Sequence, residues 1–183
     1  MKFEEVVAGW LQSGQIAHKR DVSIGFESGE GNFLGPKVIY RPDLGRELNA
    51  VLAFVLDHVV WTEDSVTRDQ AEHWGLPVFQ NGAWRGDCDD FMAAFRLILK
   101  KLGWDEKILR RAVCFAPIGG KLRPDSEYEF NHAVLCVNFD KGLVFLDNRF
   151  SEAKPLSVLF REGYQNFSVL SAKDGQWHGI KSL

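Results

Sequence analysis

The amino-acid sequence predicts an α+β fold, with N-terminal helices packed on an antiparallel sheet and a cysteine at a helix N-terminus. Three observations carry this expectation. Helical periodicity dominates as far as residue 107, apolar runs separated by turn residues follow, and Cys88 opens the strongest amphipathic pattern. The 183 residues suit one domain over 1–183, with 1–44 set apart as an N-terminal extension.

In chain order, Phe3, Val6, Val7, Trp10 and Leu11 recur at helical spacing and predict a helix over 2–12. Residues 23–37 hold Gly25, Gly29, Gly31, Gly35 and Pro36, a loop-rich stretch with a short strand. A second helix is expected after Pro42-Asp43, where Leu44, Leu48, Val51, Leu52, Val55 and Leu56 fall at three- and four-residue steps. Residues 66–74 predict a short helix ending near Gly75, with Pro77 preventing its extension. The next helix has Asp87 as N-cap, Asp90 three residues later, a stripe of Phe91, Ala94, Phe95, Ile98, Leu99 and Leu102, and Gly103 as its stop. Segments 108–116, 130–139, 142–147 and 165–171 then read as strands, with Asp140-Lys141-Gly142 as a hairpin turn.

Composition removes several functional classes. An apolar fraction of 45% and a net charge of −3, without a dense Lys/Arg patch, argue against a nucleic-acid partner. No apolar stretch is long enough to cross a bilayer, so membrane insertion is not expected. The acidic start, Met1-Lys2-Phe3-Glu4-Glu5, has no apolar run behind it. A cytoplasmic location is the expectation, and a periplasmic one would need a precursor segment ahead of Met1. The three cysteines have neither disulfide-framework nor zinc-ligand spacing.

Chemistry is concentrated around Cys88. The first helical position exposes its sulfur to the positive helix end and to backbone N–H groups, which favour thiolate and can receive an oxyanion. Asp87, Asp89 and Asp90 oppose that ionisation unless a protonated histidine or a bound cation neutralises them. Helix capping accounts for the same acidic run without a metal. His132 opens one strand and Asp147 closes the next, so hairpin pairing brings both to one sheet edge, where Cys88 could meet them. Nucleophile, base and orienter in that arrangement serve acyl transfer. Cys114 and Cys136 lie in apolar strands and read as buried thiols. Trp74 and Trp84 are the tryptophans nearest the cysteine in sequence, and Gln80 or Asn81 is a candidate upstream oxyanion donor.

The strings Gly86-Asp87-Cys88-Asp89-Asp90-Phe91, His132-Ala133-Val134-Leu135 and Leu146-Asp147-Asn148 resemble the bacterial transglutaminase-like cysteine peptidases. That family includes adhesin-cleaving periplasmic proteases. Leu48-Asn49-Ala50-Val51 and Trp74-Gly75-Leu76-Pro77 look like its Val-Asn helix and Trp-x-x-Pro segment, so the resemblance spans residues 45–175. It implies a papain-like, transglutaminase-like core with Cys88, His132 and Asp147 as the triad. It also implies calcium held by Asp87, Asp89 and Asp90, the positions that bind it in the adhesin-cleaving members.

The expected function is a thiol hydrolase that cleaves a peptide or amide bond through an acyl-thioester. Its expected partner is a protein or peptide substrate, and a regulatory protein at the cleft is left open. Two alternatives stand beside it: transglutaminase or amidase chemistry on the same triad, and a non-catalytic binding module of phage or mobile-element origin.

Overall fold

A computed structural model of the chain describes residues 2–14, 24–25, 34–63, 74–117, 130–171 and 173–180. All but Trp74 of the helix expected over 66–74, and most of the glycine-rich loop, lie outside them. Helix α1 (Phe3–Gln12) buries Phe3, Val7 and Leu11, one stripe at four-residue steps. Two-residue strands β1 (Ile24–Gly25) and β2 (Lys37–Val38) follow. Helix α2 (Pro42–His58) starts on a proline whose missing N–H is no loss at that position. Trp10 stacks on Phe54 with ring centroids 4.2 Å apart, which fastens α1 to α2.

A small three-stranded sheet comes next: β3 (Val59–Trp61), β4 (Val78–Gln80) and β5 (Ala83–Gly86), in the order β3-β5-β4. Its hairpin turns at Asn81-Gly82, both with positive φ (52° and 79°), the backbone that a two-residue primed turn requires. Helix α3 (Cys88–Lys101) buries the predicted stripe, and Gly103 follows it at φ 95°. A single 3₁₀ turn leads into the main sheet.

That sheet contains β6 (Leu109–Phe115), β7 (His132–Phe139), β8 (Gly142–Leu146), β9 (Lys154–Pro155), β10 (Gln165–Leu170) and β11 (Trp177–Gly179). Its central pairings, β6 with β7 and β7 with β8, are antiparallel as expected. The exception is a short parallel contact of β2 with the end of β7, Val38 against Phe139.

Strand β7 is buried on both faces. Ala133, Leu135, Val137 and Phe139 join the core formed with α1, α2 and α3. Val134 and Cys136 join a second core with Phe145, Phe167 and Val169, covered by Leu159 of helix α4 (Leu156–Arg161). Helices therefore cover both faces of the sheet, where the sequence suggested only the N-terminal layer. A six-residue helix is too short for periodicity to reveal. Among the described residues no helix is long and apolar enough to cross a membrane.

Candidate active site

Cys88 is the first residue of α3, and the α-helical hydrogen bonds begin with Phe91 N donating to Asp87 O at 3.1 Å. Asp87 N donates to Asp90 Oδ2 at 3.2 Å, the return arm of a capping box. Asp90 is fully buried for this purpose. Gly86 makes room for it, since a Cβ on Gly86 would lie 2.5 Å from the Asp90 side chain. Parallel pairing of β3 with β5 sets Trp61 beside Gly86, and Thr62 N donates to Gly86 O at 2.8 Å. The small sheet thus fixes the backbone that delivers Cys88.

His132 comes from the other side. It opens β7 opposite Cys114, and the Asn131 side chain ties this end of the sheet by bonding both Ala116 N (2.7 Å) and Ala116 O (2.9 Å). Asp147 stands one residue beyond β8 and is 1% exposed. Its Oδ1 accepts from His132 Nε2 and from Arg149 N, both at 2.9 Å. The second of these bonds is an Asx turn. Its Oδ2 accepts from the Tyr164 hydroxyl at 2.7 Å. Burial alone would raise the Asp147 pKa, but the His132 charge and these hydrogen bonds outweigh it and hold the carboxyl below its ordinary value.

With Nε2 given to Asp147, the neutral imidazole presents Nδ1 as an acceptor. A cleft of about 750 Å³ is lined by Cys88 and His132, with Trp61, Asn131, Asn148 and Arg149 around them. Asp147 lies behind the ring rather than in the cleft wall. A second hollow of about 520 Å³, between α2 and β8, has no cysteine or histidine in its lining.

The acidic run divides. Carboxylate oxygens of Asp87 and Asp89 and the Cys88 sulfur all lie within 4.8 Å of one another, while Asp90 is committed to the cap. Asp87 Oδ1 is buried without a hydrogen-bond partner among the described residues. Two close carboxylates, one with a buried unused oxygen, suit a hard cation such as calcium. Sulfur does not.

Cys114 and Cys136 are fully buried, and none of the three cysteines is disulfide-bonded. Burial pushes both buried thiols well above the usual thiol range, and Asp147 adds to the effect at Cys114. Neither Gln80 nor Asn81 lines the cleft; Asn81 occupies the β4–β5 turn. Trp84 is core, packed edge-on against Phe3 at 5.2 Å, and Trp74 pairs with Trp177 at 6.2 Å. Sequence reasoning missed Trp61 and Tyr164. The register of β3 on β5 marks the first, but that pairing is not visible in a three-residue strand; Tyr164 carries no local signal.

An α+β core in which a cysteine at a helix start lines one cleft with the histidine of a buried His–Asp pair has the architecture of a papain-type or transglutaminase-type thiol enzyme. Residues 34–182 match the family model described as bacterial transglutaminase-like cysteine proteinase, and the chain belongs to that family of cysteine peptidases. Among solved structures it is similar to LapG of Legionella pneumophila. That structure is 18% identical with a TM-score of 0.53, covering 92% of this chain and 84% of the other. The EGTA-treated form of LapG gives 19% identity and a TM-score of 0.55, covering 98% and 87%. The calcium-bound form gives 20% and 0.52, covering 98% and 92%. At these identities the likeness is one of fold. No curated protein gives a significant match.

Proposed function

We propose that the protein hydrolyses a peptide bond with Cys88 as nucleophile, His132 as general base and then acid, and Asp147 as the group that orients the imidazole. The observation carrying this reading is the Nε2–Oδ1 bond of 2.9 Å, which leaves Nδ1 for a cleft that Cys88 also lines. Nδ1 takes the Sγ proton, and the thiolate attacks the substrate carbonyl carbon while the carbonyl π pair moves to oxygen. Backbone N–H groups in the first turn of α3 stabilise that oxyanion. Collapse expels the amine, which takes the proton from Nδ1. Water then gives a proton to His132 and attacks the thioester, releasing the acid and the thiolate.

Asp87 and Asp89 are the residues that would hold a calcium ion, and Asp90 is reserved for the cap. When bound, the ion supplies positive charge that offsets carboxylates otherwise unfavourable to a neighbouring thiolate. The calcium-bound form of LapG supports this for a protein of the same fold.

Iodoacetamide labelling read by mass spectrometry across pH 4 to 9, with and without calcium, tests the reading. Cys88 is expected to react well below the free-thiol pKa of about 8.5, and His132→Ala to abolish this fast phase. Cys114 and Cys136 should react only after denaturation, because burial keeps both thiols protonated. A native Cys88 rate that follows an ordinary thiol would remove the assembled dyad from the account.

A further inference from the structure

Resting on the thiol-hydrolase reading above, we propose that Tyr164 is a positioning residue of the site. Its hydroxyl holds the Asp147 carboxylate, and through it the His132 ring, in the pose that turns Nδ1 toward Cys88. The carboxylate is gripped unevenly. Oδ1 carries two donors, His132 Nε2 and Arg149 N, whereas Oδ2 accepts from the Tyr164 hydroxyl at 2.7 Å. Contacts on one oxygen alone leave a carboxylate able to swing about that atom. A donor on the other oxygen fixes its plane, and with it the direction of the ring N–H.

Tyr164 is itself firmly held, and its surroundings explain how. It is 3% exposed, its N–H donates to Leu159 O at 3.0 Å, and its ring lies nearly parallel to Phe167 (6.2 Å, 16°). The same ring meets His132 edge-on at 6.2 Å. Tyr164 therefore touches both members of the pair, one through its hydroxyl and the other through its ring. Burial, then the Asp147 charge, push the phenol well above its ordinary range, so it stays a donor throughout the working pH range and exchanges no proton with substrate. Packing would be served as well by phenylalanine. The hydroxyl has a polar task, and the atom it addresses is the free end of the orienting carboxylate.

Tyr164→Phe removes that atom and keeps the ring. The variant should fold, as seen by circular dichroism, and should label Cys88 at pH 6 at least about tenfold more slowly than wild type. One hydrogen bond to a charged group is worth that factor or more. The downfield ring N–H resonance of His132, assigned by its loss in His132→Ala, should shift or vanish into exchange. A merely structural tyrosine would move stability and leave both readouts in place, so wild-type labelling and an unmoved resonance in folded Tyr164→Phe overturn the proposal.

If wild-type Cys88 labels as an ordinary thiol while the resonance still moves in the variant, the hydrolase reading falls and Tyr164's hold on the pair stands. Should Tyr164→Phe not fold, 3-fluorotyrosine incorporated at the three tyrosines of the chain strengthens the phenol as a donor without repacking. An unmoved His132 resonance in that protein would equally overturn the proposal.

Discussion

At the scale of single residues, Asp147 is the most informative side chain. Its carboxylate is nearly dehydrated, and a dehydrated carboxylate is stable only with compensating charge and donors. His132, Arg149 N and Tyr164 supply them, and the folded-state pKa falls below the ordinary value of about 3.9. A depressed carboxyl stabilises the fold above its unfolded pKa, and that contribution is lost as pH falls through the folded value. Urea midpoints measured from pH 7 down to pH 2 should therefore decline below about pH 4 in wild type. The decline should be shallower in Asp147→Asn, which has no charge to lose; identical slopes would show that Asp147 is not the titrating group. The same Asp147 side chain closes the Asx turn on Arg149 N and bonds the His132 ring.

Elements explain how three distant sequence positions meet. Helix α3 is fixed at its start by Asp90 filling the space over Gly86, and at its end by Gly103. Gly86→Ala would place a methyl 2.5 Å from Asp90 Cβ, too close for either to remain. The first turn of α3 must shift, at a cost of about 1–3 kcal/mol for such overpacking. Urea denaturation should show that loss, and Cys88 labelling at pH 6 should slow along with it. Wild-type stability in Gly86→Ala would mean the turn tolerates the methyl.

The stripes of α3 and α2 were legible because each is a long run with one period, and β7 because it is an unbroken apolar run bounded by turn residues. Short elements were not. Helix α4 and strand β3 are six and three residues long, too few to establish a period. The Asn81-Gly82 turn is different, since its dipeptide is a strong hairpin signal that the sequence reading did not use.

At the scale of the whole molecule, two separate layers build the site. The helical core with the small sheet delivers Cys88, and the main sheet with its second core delivers His132, Asp147 and Tyr164. An ion held by the Asp87–Asp89 pair would favour the folded state over the unfolded chain. Millimolar calcium should raise Tm in wild type and less or not at all in Asp87→Asn and Asp89→Asn, by differential scanning fluorimetry. An equal rise in all three proteins would place the ion elsewhere.

The sequence by itself determined the α+β class, the helix start at Cys88, the strand bearing His132, the strand that ends just before Asp147, and the burial of Cys114 and Cys136. Each follows from local propensity, capping or periodicity within one segment. Only the tertiary structure decided that Trp61 rather than Trp74 or Trp84 lines the cleft, and that Tyr164 closes on Asp147 from 17 residues away. The physical reason is common to both. Which indole or hydroxyl reaches a site depends on how close packing fills the space between elements, and a single segment holds no record of its neighbours.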